Sequence, residues 1–194
     1  MKIMIAQTGM LNVNTYYVSD EEAKKGFIID PGGYDDSLAE KIKKDSVSLE
    51  YIILTHGHFD HTGGVEGFMK KFPEAKLVAS EAEAKTISDE FTPDLCVKDG
   101  DVVNVGGMEL KFILTPGHTA GGMCVYVENC LFSGDTLFAQ SIGRTDLAGG
   151  SFAELMNSIK KKLFTLPEDT KVFPGHMGQT EIGFEKSNNP FVRN

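Results

Sequence analysis

The sequence lacks the features that mark several broad classes of protein. It has only three cysteines, and Cys96, Cys124 and Cys130 are not spaced as zinc ligands. No stretch approaches the roughly 20 apolar residues that a helix needs to cross a bilayer. The N-terminal segment MKIMIAQTG has an apolar run broken by Gln7, which is too brief for a signal peptide. We therefore expect a cytoplasmic protein with reduced cysteines and no membrane partner.

Basic residues are also in deficit. The chain has 19 Lys and Arg against 28 Asp and Glu, a net charge of −9, whereas nucleic acids and anionic membranes attract basic surfaces. Its 194 residues suffice for one well-buried core and are few for two, and no repeat or low-complexity linker divides them. We predict one domain over residues 1–194, a monomer or small homo-oligomer, that acts on a small molecule and binds no nucleic acid.

Apolar segments rich in β-branched residues recur along the chain. Strands are predicted at residues 2–7, 14–19, 24–30, 51–54, 76–80, 102–105, 108–115, 122–127, 130–133 and 170–174. Helices are predicted at residues 35–44, 62–72, 81–88 and 151–163. We expect the loop at residues 89–100, which holds Phe91, Pro93 and Leu95, to border the functional site. Two strand-rich halves, each followed by helix, indicate two sheets packed face to face with helices outside.

Histidine is rare as well, and its placement is informative. Of five histidines, His56, His58 and His61 fall with Asp60 in the stretch THGHFDHTGG, directly after the apolar segment YIIL. The glycines indicate a tight loop that can turn several side chains toward one point. A single histidine would most simply be an interior side chain bonded to a carbonyl. Crowded imidazoles repel when protonated and cost desolvation, unless a cation uses their lone pairs. The cluster therefore predicts a metal site.

The remaining candidate ligands also follow strand ends. His118 in FILTPGHTAGG and His176 in KVFPGH each follow an apolar segment and a Pro-Gly step, and Asp135 follows CLFSG. An isolated Asp after Gly would be a turn residue, but among these loops it becomes a further ligand. The candidate set is His56, His58, Asp60, His61, His118, Asp135 and His176. Seven ligands are too many for one tetrahedral zinc and suit two metals that share a bridging carboxylate.

Four motifs in order resemble a known family. THGHFDH, TPGHTAGG, SGDTLF and PGH are similar to those of the metallo-β-lactamase superfamily and, within it, of small hydrolases similar to glyoxalase II. The resemblance covers nearly the whole chain. It implies an α/β fold, a four-layer αββα sandwich of two mixed β-sheets flanked by helices, with the metals in a cleft at one edge of the sheets.

The resemblance also implies a division of the ligands. One metal would be held by His56, His58 and His118, the other by Asp60, His61 and His176, and Asp135 would bridge them. Asp30, which precedes a Pro-Gly-Gly turn, would lie behind the ligands and orient an imidazole. Nitrogen and oxygen donors without thiolate favour two Zn²⁺ ions, with iron or manganese as alternatives.

A metal-dependent hydrolase is the activity that the resemblance implies. Two metal ions would activate a water for attack on a small thioester or ester, as in hydroxyacylglutathione hydrolases, and Asp60 would accept the proton of that water. Glyoxalase II proper holds its thiol with an added C-terminal helical region, which we expect this chain to lack. A lactone or another ester therefore stands beside the thioester as substrate.

Other interpretations remain open. Some members of the family are mononuclear-iron persulfide dioxygenases with two histidines and one aspartate as ligands, and the second ligand set disfavours that activity here. A structural zinc is disfavoured because such sites are closed by four ligands, often cysteines. Arg144, in the loop after Asp135, is a strong anion-binding group, and a substrate contact or a pair with Asp146 would explain it equally well.

Overall fold

The fold rests on two mixed β-sheets, which the computed structural model describes over residues 1–87 and 91–192. In spatial order the first sheet consists of β1 (Lys2–Thr8), β2 (Val13–Asp20), β3 (Lys25–Ile29), β4 (Ser48–Ile53), β5 (Lys76–Ser80) and β6 (Leu95–Val97). Its first three strands form an antiparallel meander, and β4, β5 and β6 then add in parallel to β3.

The second sheet comes from the later part of the chain. The strands there are β7 (Val102–Val105), β8 (Met108–Leu114), β9 (Met123–Val127), β10 (Cys130–Gly134), β11 (Leu137–Phe138), β12 (Ser141–Ile142), β13 (Lys171–Pro174) and β14 (Thr180–Glu181). β11 and β12 form a separate short ribbon, and the others pair in the order β14-β13-β10-β9-β8-β7. The sheet is mixed because β10 pairs in parallel with β13 and antiparallel with β9.

Helices cover the outer face of each sheet. They are α1 (Asp36–Lys44), α2 (Phe59–Thr62), α3 (Val65–Lys71), α4 (Glu81–Thr86), α5 (Phe152–Lys161), a 3₁₀ turn (Leu163–Thr165) and α6 (Ile182–Asn188). Side chains of α1 and α3 pack with the first sheet, and those of α5 and α6 pack with the second. Among residues 1–87 and 91–192, none of the helices has the length and apolar character that a membrane crossing requires.

Helix α1 shows how local sequence sets these layers. Asp35 caps the helix, because its side chain accepts a hydrogen bond from the Leu38 amide at 3.0 Å. Leu38, Ala39 and Ile42 recur at helical spacing and are buried, and lysines end the helix as its dipole favours. One face is thereby fixed against the sheet.

A core of strand side chains lies between the sheets. Tyr16 and Phe27 of the first sheet and Phe112 and Phe132 of the second belong to it. The ring of Tyr16 meets that of Phe132 edge-on, with centroids 5.1 Å apart. Two packed sheets with helices outside confirm the predicted four-layer αββα sandwich.

The strand directions bring the candidate ligand loops to one edge. β3 and β4 are parallel, and so are β10 and β13, so the carboxyl ends within each pair lie together. β8 runs the same way as β10, because both are antiparallel to β9. The two sheets are joined at this edge by a hydrogen bond from the Met123 amide to the Thr55 carbonyl, at 2.9 Å. Ligands from both sheets can therefore converge.

Two local predictions were wrong, and one was confirmed with a different end. In the loop predicted at residues 89–100, positions 89 and 90 lie outside the described residues. Leu95 lies in β6 and packs on the inter-sheet core, and Phe91 packs on the outer face of the first sheet. Neither lines the cavity at the ligands. The helix predicted at 62–72 is two helices, α2 and α3, divided at Gly63 and Gly64. The helix predicted at 81–88 ends at Thr86, and Ser88 lies outside the described residues.

Candidate metal centre

Loops that follow strands carry every candidate ligand. His56, His58, Asp60 and His61 follow β4, the last two in the short helix α2. The loop between β8 and β9 carries His118, the residue after β10 is Asp135, and His176 follows β13. The loop that follows β13 lies very close to Asp135 and His61. A Cβ on Gly175 would lie 2.5 Å from Asp135 Oδ1 and 2.7 Å from His61 Cε1. A larger residue there would displace the ligands.

The first predicted set converges. His56, His58 and His118 each offer a ring nitrogen, and these nitrogens lie within 4.8 Å of one another. His118 Nε2 is 2.9 Å from His58 Nδ1, and the ring of His56 packs edge-on against both of the other rings. Such a group of imidazoles is the size of a metal coordination sphere.

The second predicted set converges beside the first. The ligand atoms of Asp60, His61 and His176 also lie within 4.8 Å of one another. Asp60 Oδ2 is 3.3 Å from His176 Nε2 and 3.7 Å from His61 Nε2. One carboxylate and two imidazoles therefore form a separate three-ligand group.

Asp135 lies between the two groups. Its Oδ1 is 3.4 Å from His61 Nε2, and its Oδ2 is 3.6 Å from His118 Nε2 and 3.7 Å from His176 Nε2. Because its carboxylate faces imidazoles of both sets, its position is suited to a bridging carboxylate.

Asp30 is hydrogen-bonded behind both sets. Its Oδ2 accepts from His61 Nδ1 at 3.0 Å and from the Thr55 hydroxyl at 2.6 Å, and its Oδ1 accepts from the Thr55 amide at 2.7 Å. Since the Thr55 hydroxyl donates to Asp30, it must accept the contact from His56 Nδ1, at 3.1 Å. Both imidazoles therefore carry their proton on Nδ1 and turn Nε2 toward the centre.

Arg144 contributes through its backbone. Its carbonyl oxygen accepts a hydrogen bond from His118 Nδ1 at 2.8 Å, which leaves His118 Nε2 free to face the site. The guanidinium instead forms two hydrogen bonds of 2.7 Å to the carboxylate of Asp146. Of the two roles considered from the sequence, this conformation shows the ion pair.

Buried polar atoms without hydrogen-bond partners indicate which kind of group the cluster can bind. His56 Nε2, His61 Nε2 and Asp135 Oδ1 are buried, and none has a hydrogen-bond partner among the described residues. Buried polar atoms are nearly always paired, so three orphans converging at one point require a further group. Lone pairs on imidazole and carboxylate atoms fit divalent metal ions.

The charges in the cluster favour a cation at its centre. Burial lowers the pKa of His61, but the carboxylates of Asp30 and Asp135 outweigh it and raise the pKa to about 10. Burial and the neighbouring imidazoles lower the pKa of His56 well below its usual range. Burial raises the pKa of Asp135, yet His61 brings the net pKa below the usual value. Without a metal, the carboxylates thus favour a second proton on His61, at Nε2, and a metal ion that replaced this proton would meet the same field.

The cluster opens into a cavity of about 510 Å³, a size suited to a small molecule. Its floor is formed by His58, Asp60, His118, Asp135 and His176. Its walls are formed by Leu11, Phe59, Phe138, Ile142, Arg144 and Leu147. A reactant bound there would contact candidate ligands below and mostly apolar side chains around it.

Two residues that contact the ligand loops were not predicted from the sequence. Thr55 joins His56 to Asp30, and a single Thr before a histidine carries no distinctive signal. Glu83 of α4 accepts hydrogen bonds from the Gly57 amide and the Thr119 hydroxyl. The capping-box spacing of Ser80 and Glu83 predicts only a helix start, and it does not reveal the contact of Glu83 with the ligand loops.

Comparison with known proteins agrees with the geometry. The family model described as the metallo-beta-lactamase superfamily matches residues 8–176. A protein of Aquifex aeolicus is 38% identical over 99% of this chain and 97% of its own length. Probable metallo-hydrolase YqgX of Bacillus subtilis is 33% identical, and hydroxyacylglutathione hydrolase GloC of Haemophilus influenzae is 34% identical. Each of these two alignments covers 99% of this chain and 98% of the relative.

Solved structures are similar over almost the whole chain. BLEG-1, a B3 metallo-beta-lactamase, superposes with a TM-score of 0.91 at 33% identity, covering 100% of both chains. ETHE1 from Myxococcus xanthus gives 0.85 at 28% identity, covering 98% of this chain and 84% of its own. TTHA1623, solved in a di-iron-bound form, gives a TM-score of 0.83 at 29% identity, covering 97% of this chain and 99% of its own. With the family model and the relatives, these likenesses show that the chain belongs to the metallo-beta-lactamase superfamily.

Proposed function

We propose that the protein is a metal-dependent hydrolase that holds two divalent metal ions and cleaves a small thioester or ester. Its superfamily includes metallo-hydrolases that align with it from end to end, such as YqgX and GloC. The observation that carries the proposal is the convergence of unpaired, buried His56 Nε2, His61 Nε2 and Asp135 Oδ1 beside an open cavity.

The two convergent groups define the proposed ligand sets. Bound divalent ions would supply a water activated at neutral pH and a Lewis acid for the substrate carbonyl. The first set is His56, His58 and His118, the second set is Asp60, His61 and His176, and Asp135 is shared. The Asp30 carboxylate and the Arg144 carbonyl hold protons on the outer nitrogens, which keeps His61 and His118 as lone-pair donors toward the centre.

Asp60 has a second proposed role. Its carboxylate faces the cavity and lies between His176 and His61, so it can accept a proton from the attacking water and pass it to the leaving group. Burial raises the pKa of Asp60, but the hydrogen bond from His176 and the neighbouring imidazoles of His61 and His176 together hold the pKa below its usual value. The carboxylate is therefore ionised and ready to receive a proton at neutral pH.

Zinc is the proposed metal. The ligands are imidazole and carboxylate without thiolate, which suits Zn²⁺ and also iron or manganese. The similar protein TTHA1623 was solved with two irons, which supports a two-metal centre and keeps iron as the alternative.

The cavity supports a small, uncharged acyl group as the reacting part of the substrate. Leu11, Phe59 and Leu147 provide apolar walls, and the guanidinium of Arg144 is already paired with Asp146. Hydroxyacylglutathione hydrolase is the name of one relative, GloC, and a thioester is therefore the first substrate to test. Other esters and lactones follow, and the net charge of −9 supports a small-molecule substrate over a nucleic acid.

The test combines elemental analysis with a substrate panel. We expect about two zinc ions per chain in protein purified without chelators, and hydrolysis of one or more among glutathione thioesters, simple thioesters, lactones and β-lactams. Chelation should abolish turnover, and Zn²⁺ should restore it. Protein with two bound metals and no hydrolysis of any ester, thioester, lactone or β-lactam would refute the proposal.

A mononuclear-iron dioxygenase acting on a persulfide is the second candidate. Two imidazoles of the first set and the carboxylate of Asp135, whose Oδ2 lies 3.6 Å from His118 Nε2, have the ligand type of non-haem iron oxygenases. The second set, Asp60, His61 and His176, disfavours a single metal and favours two. One iron per chain, with oxygen uptake in the presence of a persulfide, would favour the dioxygenase.

A further inference from the structure

Glu83 is a buried carboxylate next to the candidate metal centre, and it belongs to neither proposed ligand set. Its residue is 1% exposed, and it lies in the first turn of α4, three residues after the N-cap Ser80. The Glu83 amide donates to the Ser80 hydroxyl at 3.0 Å, as in a capping box. In such a box the glutamate side chain turns back to the cap residue, whereas here it is directed to the ligand loops.

Each oxygen of Glu83 binds a different ligand loop. Oε1 accepts from the amide of Gly57 at 2.9 Å, and Oε2 accepts from the hydroxyl of Thr119 at 2.8 Å. Gly57 stands between His56 and His58, and Thr119 directly follows His118. One carboxylate therefore spans the two loops that carry the first ligand set.

The loops are packed against Glu83 without spare room. A Cβ on Gly57 would lie 2.9 Å from Glu83 Oε1, and a Cβ on Gly121 would lie 2.3 Å from the Glu83 amide nitrogen and 2.6 Å from Oε2. Ser80 adds a second link, because its hydroxyl donates to the Gly121 carbonyl at 2.6 Å. The start of α4 thus contacts the loop of the first sheet and the loop of the second.

The partners of Glu83 explain why a carboxylate stands there. Burial of a carboxylate costs free energy, which charge-assisted hydrogen bonds offset. The Gly57 amide and the Thr119 hydroxyl are both uncharged donors, and both belong to segments whose positions set the imidazoles of the first set. These two hydrogen bonds therefore offset the cost of burying the carboxylate, and they hold the two segments at a defined separation.

We propose that Glu83 is a positioning residue that holds the loops of His56, His58 and His118 at the separation that a metal ion requires. The inference rests on the proposed function only in requiring a metal at these histidines. It predicts that Glu83 affects the affinity for metal, beyond any effect on the stability of the metal-free fold.

The decisive comparison is between Glu83→Ala and Glu83→Gln. Alanine removes both acceptors, and we expect zinc binding at one of two sites to weaken about 10- to 100-fold, the usual effect of losing a group behind a ligand. Glutamine should retain most of the affinity, because its oxygen can accept from the Gly57 amide while its NH₂ group donates to the Thr119 hydroxyl. Thr119→Val removes only one of the two contacts, so it should weaken zinc binding less than Glu83→Ala does. If Glu83→Ala does not fold, Thr119→Val takes its place in the test.

The measurements are zinc affinity by competition with a chromophoric chelator and the rise in Tm on adding zinc to metal-free protein. Glu185→Ala is the matched control, since Glu185 is also fully buried and accepts from the Gln140 amide and the Asn189 side chain. It should lower Tm with and without zinc by the same amount and leave the affinity unchanged.

Two results would overturn the inference. One is wild-type zinc affinity in Glu83→Ala, and the other is an equal loss of affinity in Glu185→Ala. Wild-type protein that binds two zinc ions but hydrolyses nothing would refute the proposed function alone, because the affinity of the Glu83 variants is measured without substrate. Wild-type protein that binds no zinc would refute both.

Discussion

At the residue scale, the centre depends on which nitrogen of each imidazole carries the proton. Asp30 accepts from His61 Nδ1 directly and is linked to His56 through the Thr55 hydroxyl, while the Arg144 carbonyl accepts from His118 Nδ1. Each outer hydrogen bond leaves an inner nitrogen with a lone pair. Three of the five histidines thus have a hydrogen bond on the side away from the centre, as a metal-binding imidazole usually has.

Asp30→Asn should impair metal binding while preserving side-chain size. The asparagine oxygen can still accept from the Thr55 amide, but its NH₂ group would then face His61 Nδ1. The proton of His61 would move to Nε2, and the lone pair toward the centre would be lost. We expect zinc affinity to fall about 10- to 100-fold, measured by chelator competition. Asp94→Asn, at a carboxylate that accepts from the Leu77 amide, should leave the affinity unchanged.

Asp60→Asn separates metal binding from proton transfer. The amide oxygen can still act as a ligand, but the side chain can no longer accept a proton. Turnover at full metal loading should fall by about 10²- to 10⁴-fold, the range for loss of a general base. Metal content and kcat are measured on the same sample, and unchanged kcat with both metals bound would show that Asp60 is a ligand alone.

Arg144→Gln tests the side chain apart from the backbone. The carbonyl that binds His118 remains, so the variant should keep its full metal content. The guanidinium lies on the cavity wall, paired with exposed Asp146. Because Asp146 already neutralises the guanidinium, its loss should change KM for an anionic thioester no more than KM for a neutral one. A larger rise in KM for the anionic substrate would show that Arg144 leaves Asp146 to contact substrate.

At the element scale, loops after parallel or co-directed strands carry the ligands, and glycines let those loops approach one another. Gly134 ends β10 with φ +48°, and a Cβ there would lie 2.3 Å from the Thr55 hydroxyl oxygen. Thr55 is the residue that links His56 to Asp30. The β10 end and the β4 loop are therefore packed so closely that each limits the position of the other.

Gly134→Ala should act on stability and metal binding together. The left-handed φ disfavours alanine, and the added methyl group must displace Thr55. We expect a loss of about 1–3 kcal/mol in unfolding free energy and a lower zinc affinity. Gly100→Ala is the control, because Gly100 has φ +84° with no atom within 4 Å of its added Cβ. It should lose stability from strain alone and bind zinc as the wild type does.

At the scale of the whole molecule, the centre joins two sheets that already have cores of their own. One apolar cluster lies between the sheets, and one lies beneath the helices on each outer face. The ligands, by contrast, come from the edges of both sheets. Bound metal should therefore add stability to a fold that does not depend on it.

Metal removal should lower Tm without unfolding the protein. A ligand present at 100 times its Kd stabilises the native state by about 2.7 kcal/mol, which for a chain of this size shifts Tm by roughly 5–11 °C. Far-UV circular dichroism at 25 °C should be unchanged after chelation, and Tm should recover on adding zinc. Unfolding on chelation would indicate a structural metal, and a constant Tm would indicate that the cluster binds no metal.

Predictability differed between the parts of this chain. The strand patterns and the HxHxDH stretch were readable because alternating burial and clustered imidazoles leave local signals, and residues such as His118 and Asp135 stood out by their place after strands. Strand β6 was missed because Leu95, Cys96 and Val97 form too short a run to exceed the surrounding turn residues. Helix α6 was not predicted, since its sequence IGFEKSN includes glycine and asparagine, and tertiary burial of Ile182 and Glu185 holds it.

The sequence by itself determined the types of the candidate ligands and the predicted strands that precede them, because these depend on residue identity and local pattern. Only the tertiary structure decided how those ligands are held. The Asp30–Thr55–His56 chain, the carbonyl of Arg144 behind His118 and the contact of Glu83 with two loops all join residues distant in sequence. Such contacts arise when strands distant in the chain lie side by side and when the two sheets pack face to face, and no local pattern encodes the resulting distances.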